Sequence, residues 1–286
     1  MSDFEQFISR LEQLVDRVEA VLPAPTKAPD WSASAFRWRV QTNGSGYLQA
    51  VKHPHYVDLD ALKNIDTQKD SMVRNTRQFV AGRQANNVLL TGARGTGKST
   101  LVKAVWTAFA KEGLKIIEVD KTDLLHLADI VDLVGERPEK FIIFCDDLSF
   151  EEGEISYKAL KSVLDGSISA PTANMLFYAT SNRRHLLPQK MRDNLDVVSY
   201  EDGEVRPNDS IEEKVSLSER FGLWLSFYPF SQDDYLTAAQ YWVTELGGAW
   251  DDNARDAALL WHRTRGARSG RVAWQFARDY VGRYQA

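Results

Sequence analysis

Gly92-Ala93-Arg94-Gly95-Thr96-Gly97-Lys98-Ser99 is the stretch on which the fold turns. It satisfies G-x-x-x-x-G-K-[ST] at every fixed position. Glycines permit the unusual dihedrals that bring loop amides against phosphate oxygens. The Lys98 ammonium then reaches the β- and γ-phosphates of a nucleotide, and the Ser99 hydroxyl is placed to ligate Mg²⁺. Thr100 and the residues up to Val105 continue as a helix whose N-terminal dipole faces the anion. Immediately before the loop, Val88-Leu89-Leu90 is a short apolar strand, so the order strand, loop, helix is complete.

Outward from the loop, apolar runs alternate with helical patterns. Lys115-Ile116-Ile117-Glu118-Val119, Phe141-Ile142-Ile143-Phe144-Cys145 and Met175-Leu176-Phe177-Tyr178-Ala179 join Val88-Leu89-Leu90 as strands buried on both faces. Phe221-Gly222-Leu223-Trp224-Leu225 is a further apolar strand. Helical patterns at 98–112, 124–134 and 155–164 suit the crossovers of a parallel sheet. The run through Cys145 ends in Asp146-Asp147, two carboxylates at the tip of a buried strand. Asp146 is placed to touch the metal or accept from its water, and Asp147 to orient the attacking water. Cys145 itself reads as a small buried side chain.

Towards the N-terminus, Phe4, Phe7, Ile8, Leu11, Leu14, Val15, Val18, Val21 and Leu22 mark one apolar helical face. That face packs on its own domain or serves an oligomer or partner contact. Three prolines at 23, 25 and 29 then enforce an extended spacer. Phe36, Trp38 and Val40 alternate with polar residues ahead of a Thr42-Asn43-Gly44-Ser45-Gly46 turn, which predicts a hairpin. Residues 58–82 read as a helix. Beyond Asn182, residues 196–213 form an acidic stretch expected to be an exposed loop. The tail carries three helical patterns, at 231–246, 252–264 and 270–284.

With 286 residues, 43% hydrophobic and 26% charged, the chain has the composition of a soluble globular protein and not of a disordered one. No apolar run reaches the ~18 residues of a membrane span, and the N-terminus lacks a signal peptide's pattern, so a cytoplasmic protein with no membrane contact is expected. Cys145 is the one cysteine, which excludes an internal disulfide. A net charge of −5 argues against a broadly basic nucleic-acid coat.

The order of these motifs resembles the AAA+ ATPases across residues 58–284. The resemblance implies a P-loop NTPase fold: a three-layer αβα domain with a central, mostly parallel, five-stranded sheet, followed by a small helical lid. It divides the chain into an N-terminal helix and linker (1–30), a hairpin segment (31–57), the nucleotide-binding domain (58–230) and the lid (231–286). Tyr178-Ala179-Thr180-Ser181-Asn182 is similar to the family's sensor 1, with Asn182 the water-positioning residue. Ser218-Glu219-Arg220-Phe221-Gly222 is similar to the arginine-finger segment, which implies a homo-oligomer with Arg220 reaching a neighbour's nucleotide, or else an internal salt bridge. Gly266-Ala267-Arg268-Ser269-Gly270-Arg271 resembles sensor 2, with Arg271 the working residue and Arg268 the alternative. Ile65 is implied as an apolar wall for the base. The implied ligands are ATP and Mg²⁺.

Two segments, Phe144-Cys145-Asp146-Asp147-Leu148-Ser149-Phe150-Glu151 and Ala179-Thr180-Ser181-Asn182-Arg183-Arg184-His185-Leu186, are more closely similar to an uncharacterised bacterial group of predicted ATP-binding proteins. Most AAA+ proteins carry Glu where this chain has Asp147, whereas initiator and helicase-loader members also show Asp-Asp. The shorter side chain implies slow hydrolysis. Glu151 or Glu152 is a weaker alternative for that role. Arg94 is expected to point away from the nucleotide, and Arg183 and Arg184 to be surface or interface charges. Three functions follow: a slow ATPase coupled to remodelling or loading a partner, a nucleotide-gated binding module without turnover, and, less favoured, a small-molecule or nucleotide kinase. The protein partner is not legible. Tail arginines with five tryptophans from Trp224 to Trp274 allow nucleic acid but do not favour it over a lid core.

Overall fold

Strand pairing organises the molecule around one sheet of seven strands. The computed structural model describes residues 28–151, 154–165, 173–183, 186 and 217–284. It also describes residues 4, 7, 8 and 10–12, which are helical, and the backbone of β7 (Val198–Ser199) and β8 (Val205–Arg206), a small antiparallel pair. Most of the expected N-terminal helix, the proline spacer up to residue 27, most of the acidic stretch, Glu152, Arg184 and His185 lie outside the described residues.

The sheet order is β2-β1-β4-β5-β6-β3-β9. Its parallel heart is β4 (Leu114–Glu118), β5 (Lys140–Cys145), β6 (Met175–Ser181), β3 (Val88–Gly92) and β9 (Leu223–Phe227). Each is an apolar run because helices cover both faces. Leu89, Ile117, Ile143 and Phe177 point into one core with α3 (Leu127–Val134) and α4 (Ile155–Asp165). Val88, Leu90, Ile142 and Tyr178 point into the other, with α1 (Asp66–Val80) and α2 (Lys98–Ala110).

The hairpin of β1 (Ala35–Val40) and β2 (Gly46–Ala50) extends this sheet from five strands to seven. β1 lies parallel to β4 with Phe36 opposite Ile117. Alternation in residues 36–40 revealed a strand but not its neighbour. The neighbour is set by Phe36 and Trp38, which enter the same core as Ile117, and by the Arg37–Glu118 ion pair at 2.6 Å. The buried Lys115 also donates through Nζ to the carbonyls of Trp31 (2.7 Å) and Ala33 (2.8 Å), fastening the preceding segment to β4.

The helix expected over 58–82 is broken. A 3-10 turn (Leu59–Ala61), capped by Asp58, leads through Asn64 at φ 63° into α1. Asn64 tolerates this left-handed backbone as Asn often does, and its Nδ2 donates to the Asp234 carbonyl at 2.8 Å. The pattern over 124–134 likewise begins as a 3-10 turn (Lys121–His126) before α3.

Three helices complete the chain: α5 (Gln232–Glu245), α6 (Asp252–Arg265) and α7 (Gly270–Tyr284). Ser231 and Asp234 form a capping box at the start of α5, and the Asp251 side chain caps α6. Their own core gathers Tyr235, Ala239, Val243, Ala273 and Phe276, with Trp242 and Trp261 packed against it.

Candidate nucleotide site

The loop after β3 takes its shape from two glycine positions. Gly92 has φ 129°, and a Cβ there would collide with the Phe227 carbonyl oxygen of β9. Gly97, at φ 99°, turns the chain directly into α2. Lys98 folds back over the loop, its Nζ donating to the carbonyls of Gly92 (2.8 Å) and Ala93 (2.7 Å) and to Asn182 Oδ1 (3.0 Å). Burial lowers the Lys98 pKa below the usual lysine range, with Arg271 and Arg94 adding to the shift and Asp146 and Asp147 opposing it.

Beyond Lys98 the carboxylates are in place. Ser99 Oγ donates to Asp146 Oδ1 at 2.5 Å. Thr180 Oγ1 donates to the same oxygen at 2.5 Å. Asp147 stands at φ 53°, and its Oδ1 accepts from Asn182 Nδ2 at 2.5 Å. β5 and β6 are neighbours in register, Cys145 opposite Ala179, which brings the ends of these two strands together.

These groups sit in a cleft of about 990 Å³ between the sheet's helices and the lid. Its volume is at the upper end of ordinary ligand sites. Arg94, Gly95, Thr96, Gly97, Lys98, Ser99 and Thr100 line it, together with Asp146, Asp147, Asn182, Ile65 and Arg271. Gly92 and Ala93 are not among the lining residues; their carbonyls accept from Lys98 behind the wall. Arg94, expected to point outward, is exposed yet belongs to the cleft wall, so that expectation is only partly met. Arg271, and not Arg268, reaches the cleft, and its backbone amide donates to the Gly95 carbonyl at 3.2 Å. Arg220 stands apart: its Nε donates to Asp165 at the end of α4. Arg183 pairs with Glu151 at 3.1 Å, which occupies that carboxylate away from Asp147.

Motif reading did not find the rest of the wall. His55, Tyr56 and Val57 enter from the segment after β2, and Phe230, Trp242 and Trp274 from the lid side. Trp242 and Trp274 meet edge to face with centroids 4.6 Å apart, and Tyr56 stacks on Trp106 at 5.3 Å. Thr180, read only as part of a sensor-like string, lies between the Asp146 carboxylate and the Asp147 backbone amide. The sole signal for it was its place two residues before Asn182.

Ser99 Oγ and Asp146 offer one hydroxyl and one carboxylate, hard oxygen donors of the kind Mg²⁺ takes when water and phosphate supply the remaining positions. Among the described residues no cluster of three or more His, Cys, Asp or Glu forms a metal cage, so a cation here would depend on those outside ligands. The site fits such an ion.

A mostly parallel sheet in this order, a phosphate-type loop after β3, two acids at the end of β5 and a helical C-terminal part beside them are the arrangement of the AAA+ type of P-loop fold. Residues 31–284 match a family described as protein of unknown function (DUF815), and the chain belongs to that family. Among solved structures, the chain is similar to the Thermotoga maritima RuvB Holliday junction branch migration motor. The TM-score is 0.51 and the identity 17%, over 80% of this chain and 66% of that one. An arginine-to-alanine form of the same RuvB matches with TM-score 0.51 and 16% identity over 80% and 66%. A proline-to-glycine mutant of it matches with 0.50 and 18% over 79% and 65%. The chain thus spans just under two thirds of the length of these structures, and the likeness is one of fold. No curated protein matches the sequence. No helix among the described residues is long and apolar enough to cross a membrane.

Proposed function

We propose that this protein binds Mg²⁺·ATP in the cleft and hydrolyses it slowly, as an AAA+ ATPase that assembles with copies of itself. In this reading, turnover is coupled to remodelling or loading of a partner. The observation that carries the reading is the convergence of Lys98, Ser99, Asp146, Asp147 and Asn182 at one end of the cleft. Loop amides and Lys98 hold the phosphates, with Lys98 exchanging its carbonyl partners for phosphate oxygens. Ser99 and Asp146 hold Mg²⁺, which when bound neutralises charge on the phosphate oxygens. Asp147 and Asn182, already hydrogen-bonded, orient the attacking water. Asp147 is one methylene shorter than the usual Glu, which supports low turnover. Arg271 enters from the lid to meet the phosphates.

Arg220 fits the finger role because it lies outside its own cleft, beside the edge strand β9, and its bond to Asp165 is one a neighbouring subunit's nucleotide would replace. A finger supplied in trans is worth about 10³–10⁵ in rate. Phosphate release per subunit should therefore climb with protein concentration, and Arg220→Ala should suppress it while leaving ATP binding intact. A rate independent of both would remove the assembly claim.

The primary test is equilibrium binding of ATP with magnesium, followed by phosphate release. Lys98→Ala should abolish binding, and Asp147→Asn should bind ATP but lose turnover. No binding at millimolar ATP overturns the reading. A second reading, an ATP-gated module without hydrolysis, is favoured by the short Asp147 held against Asn182; equal near-zero rates for wild type and Asp147→Asn would select it. Nucleic acid is not favoured, although RuvB is a Holliday junction motor, because Trp242 and Trp261 are used in the lid core. DNA binding that weakens steeply with salt would reverse this.

A further inference from the structure

Asp146-Asp147-Leu148 turns sharply off the end of β5, and one residue of β6 holds all three. The Thr180 carbonyl accepts from Leu148 N at 2.6 Å. Its hydroxyl oxygen accepts from Asp147 N at 3.0 Å. The same hydroxyl donates its proton to Asp146 Oδ1 at 2.5 Å. Thr180 is 1% exposed, and its hydroxyl is engaged in these two bonds.

The consequences fall on both acids. Asp146 Oδ1 receives three donors, from Ser99 Oγ, Thr180 Oγ1 and the Asp147 amide at 3.1 Å. Oδ1 is thereby spent, and the carboxylate is held in one rotamer with Oδ2 left for a metal or its water. Asp147 sits at φ 53°, a left-handed backbone that Asp adopts more readily than most non-glycine residues and that its surroundings hold in place. The bond from Asp147 N to Thr180 and the next from Leu148 N impose it here, and that turn carries Asp147 Oδ1 to Asn182.

We propose that Thr180 is a positioning residue whose hydroxyl, by bridging Asp146 and the Asp147 amide, sets the Mg²⁺-dependence of nucleotide binding. The inference rests on the Mg²⁺·ATP reading above and deepens it. The Thr180 hydroxyl is bonded to Asp146 and to the Asp147 amide. It acts through Asp146, as the hydrogen-bonded neighbours of metal ligands do, and their loss typically costs about 10–100-fold in metal affinity.

The test is a binding titration of the full chain with a fluorescent, slowly hydrolysed ATP analogue, in excess EDTA and in Mg²⁺. Wild type, Thr180→Val and Thr180→Ser are compared. Thr180→Val keeps the shape and loses the hydroxyl, and Thr180→Ser keeps the hydroxyl. Wild type and Thr180→Ser should show the same tightening by Mg²⁺. Thr180→Val should lose about tenfold or more of that tightening, with its metal-free affinity unchanged. Should Thr180→Val fail to melt cooperatively, Thr180→Ala removes the same hydroxyl with less crowding and is read in the same way. Full Mg²⁺ tightening in the hydroxyl-free variant overturns the inference and leaves the ATP reading standing. So does an equal loss of affinity with and without Mg²⁺, the mark of a packing defect. A wild type that binds no nucleotide overturns both.

Discussion

Cys145 and Asp146 are adjacent in the chain and opposite in circumstance. Asp146 opens into the cleft, whereas Cys145 is fully buried, and burial pushes its thiol up to about 12, with Asp146 and Asp120 adding to the shift. The folded pKa lies above the unfolded value near 9, so the contribution is whole below pH ~9 and is lost as pH rises towards ~12. Relative to Cys145→Ala, wild type should lose about 2–3 kcal/mol by about pH 11, at 1.36 kcal/mol per pH unit. Denaturant melts across that range check it. In the native state near neutral pH, Cys145 should also resist thiol reagents until the protein unfolds. Burial of this cysteine was readable from its strand. The identity of the residues around Asp146 was readable too, from the loop motif and the acid pair. Thr180's bridge was not, because it spans 34 positions and has no local signature.

Among the elements, β6 and α1 show how a buried polar group joins layers. Tyr178 OH sits between Thr76 Oγ1 at 2.7 Å and Asn75 Nδ2 at 3.3 Å. Both partners keep another bond, Thr76 to the Met72 carbonyl and Asn75 to the Asn86 carbonyl. Tyr178→Phe therefore orphans neither, and should cost only about 1 kcal/mol, seen as a lowered urea midpoint with unchanged slope. Gly92→Ala is the harsher change, since its Cβ collides with the Phe227 carbonyl oxygen and needs φ 129°. It should cost about 3 kcal/mol by overpacking and, by displacing the loop, lower nucleotide affinity as well. At the lid, Asp251→Ala removes the cap of α6 and should cost about 1 kcal/mol. The strands of the seven-stranded sheet and the helices packed on it followed from period and composition, whereas the β7–β8 pair falls in the stretch expected to be a loop. The break before α1 did not, because it depends on Asn64 reaching Asp234 in a helix 170 residues on.

Among the described residues, the seven-stranded sheet with its helices and the three C-terminal helices meet across the cleft. Arg271 N meets the Gly95 carbonyl, Asn64 meets Asp234, and Lys63 Nζ lies 4.2 Å over the Tyr241 ring. A ligand between these two bodies binds the folded state alone, so saturating Mg²⁺·ATP at about 100 Kd should raise stability by ~2.7 kcal/mol. A thermal melt with and without nucleotide reads this directly. An unchanged melting temperature would mean that the cleft does not hold the nucleotide.

The phosphate-type loop, the acid pair, the alternation of buried strands with helices and the helical tail were all legible in the chain alone. Each is written in neighbouring residues, by a fixed spacing or a hydrophobic period. Tertiary structure decided which strands lie side by side and so drew the hairpin into a seven-stranded sheet. It put Arg271, and not Arg268, on the cleft wall, gave Arg220 its bond to Asp165, and built the wall of Tyr56, Trp242 and Trp274. Those outcomes join residues tens to hundreds of positions apart, through packing and hydrogen bonds that exist only once the chain has closed on itself.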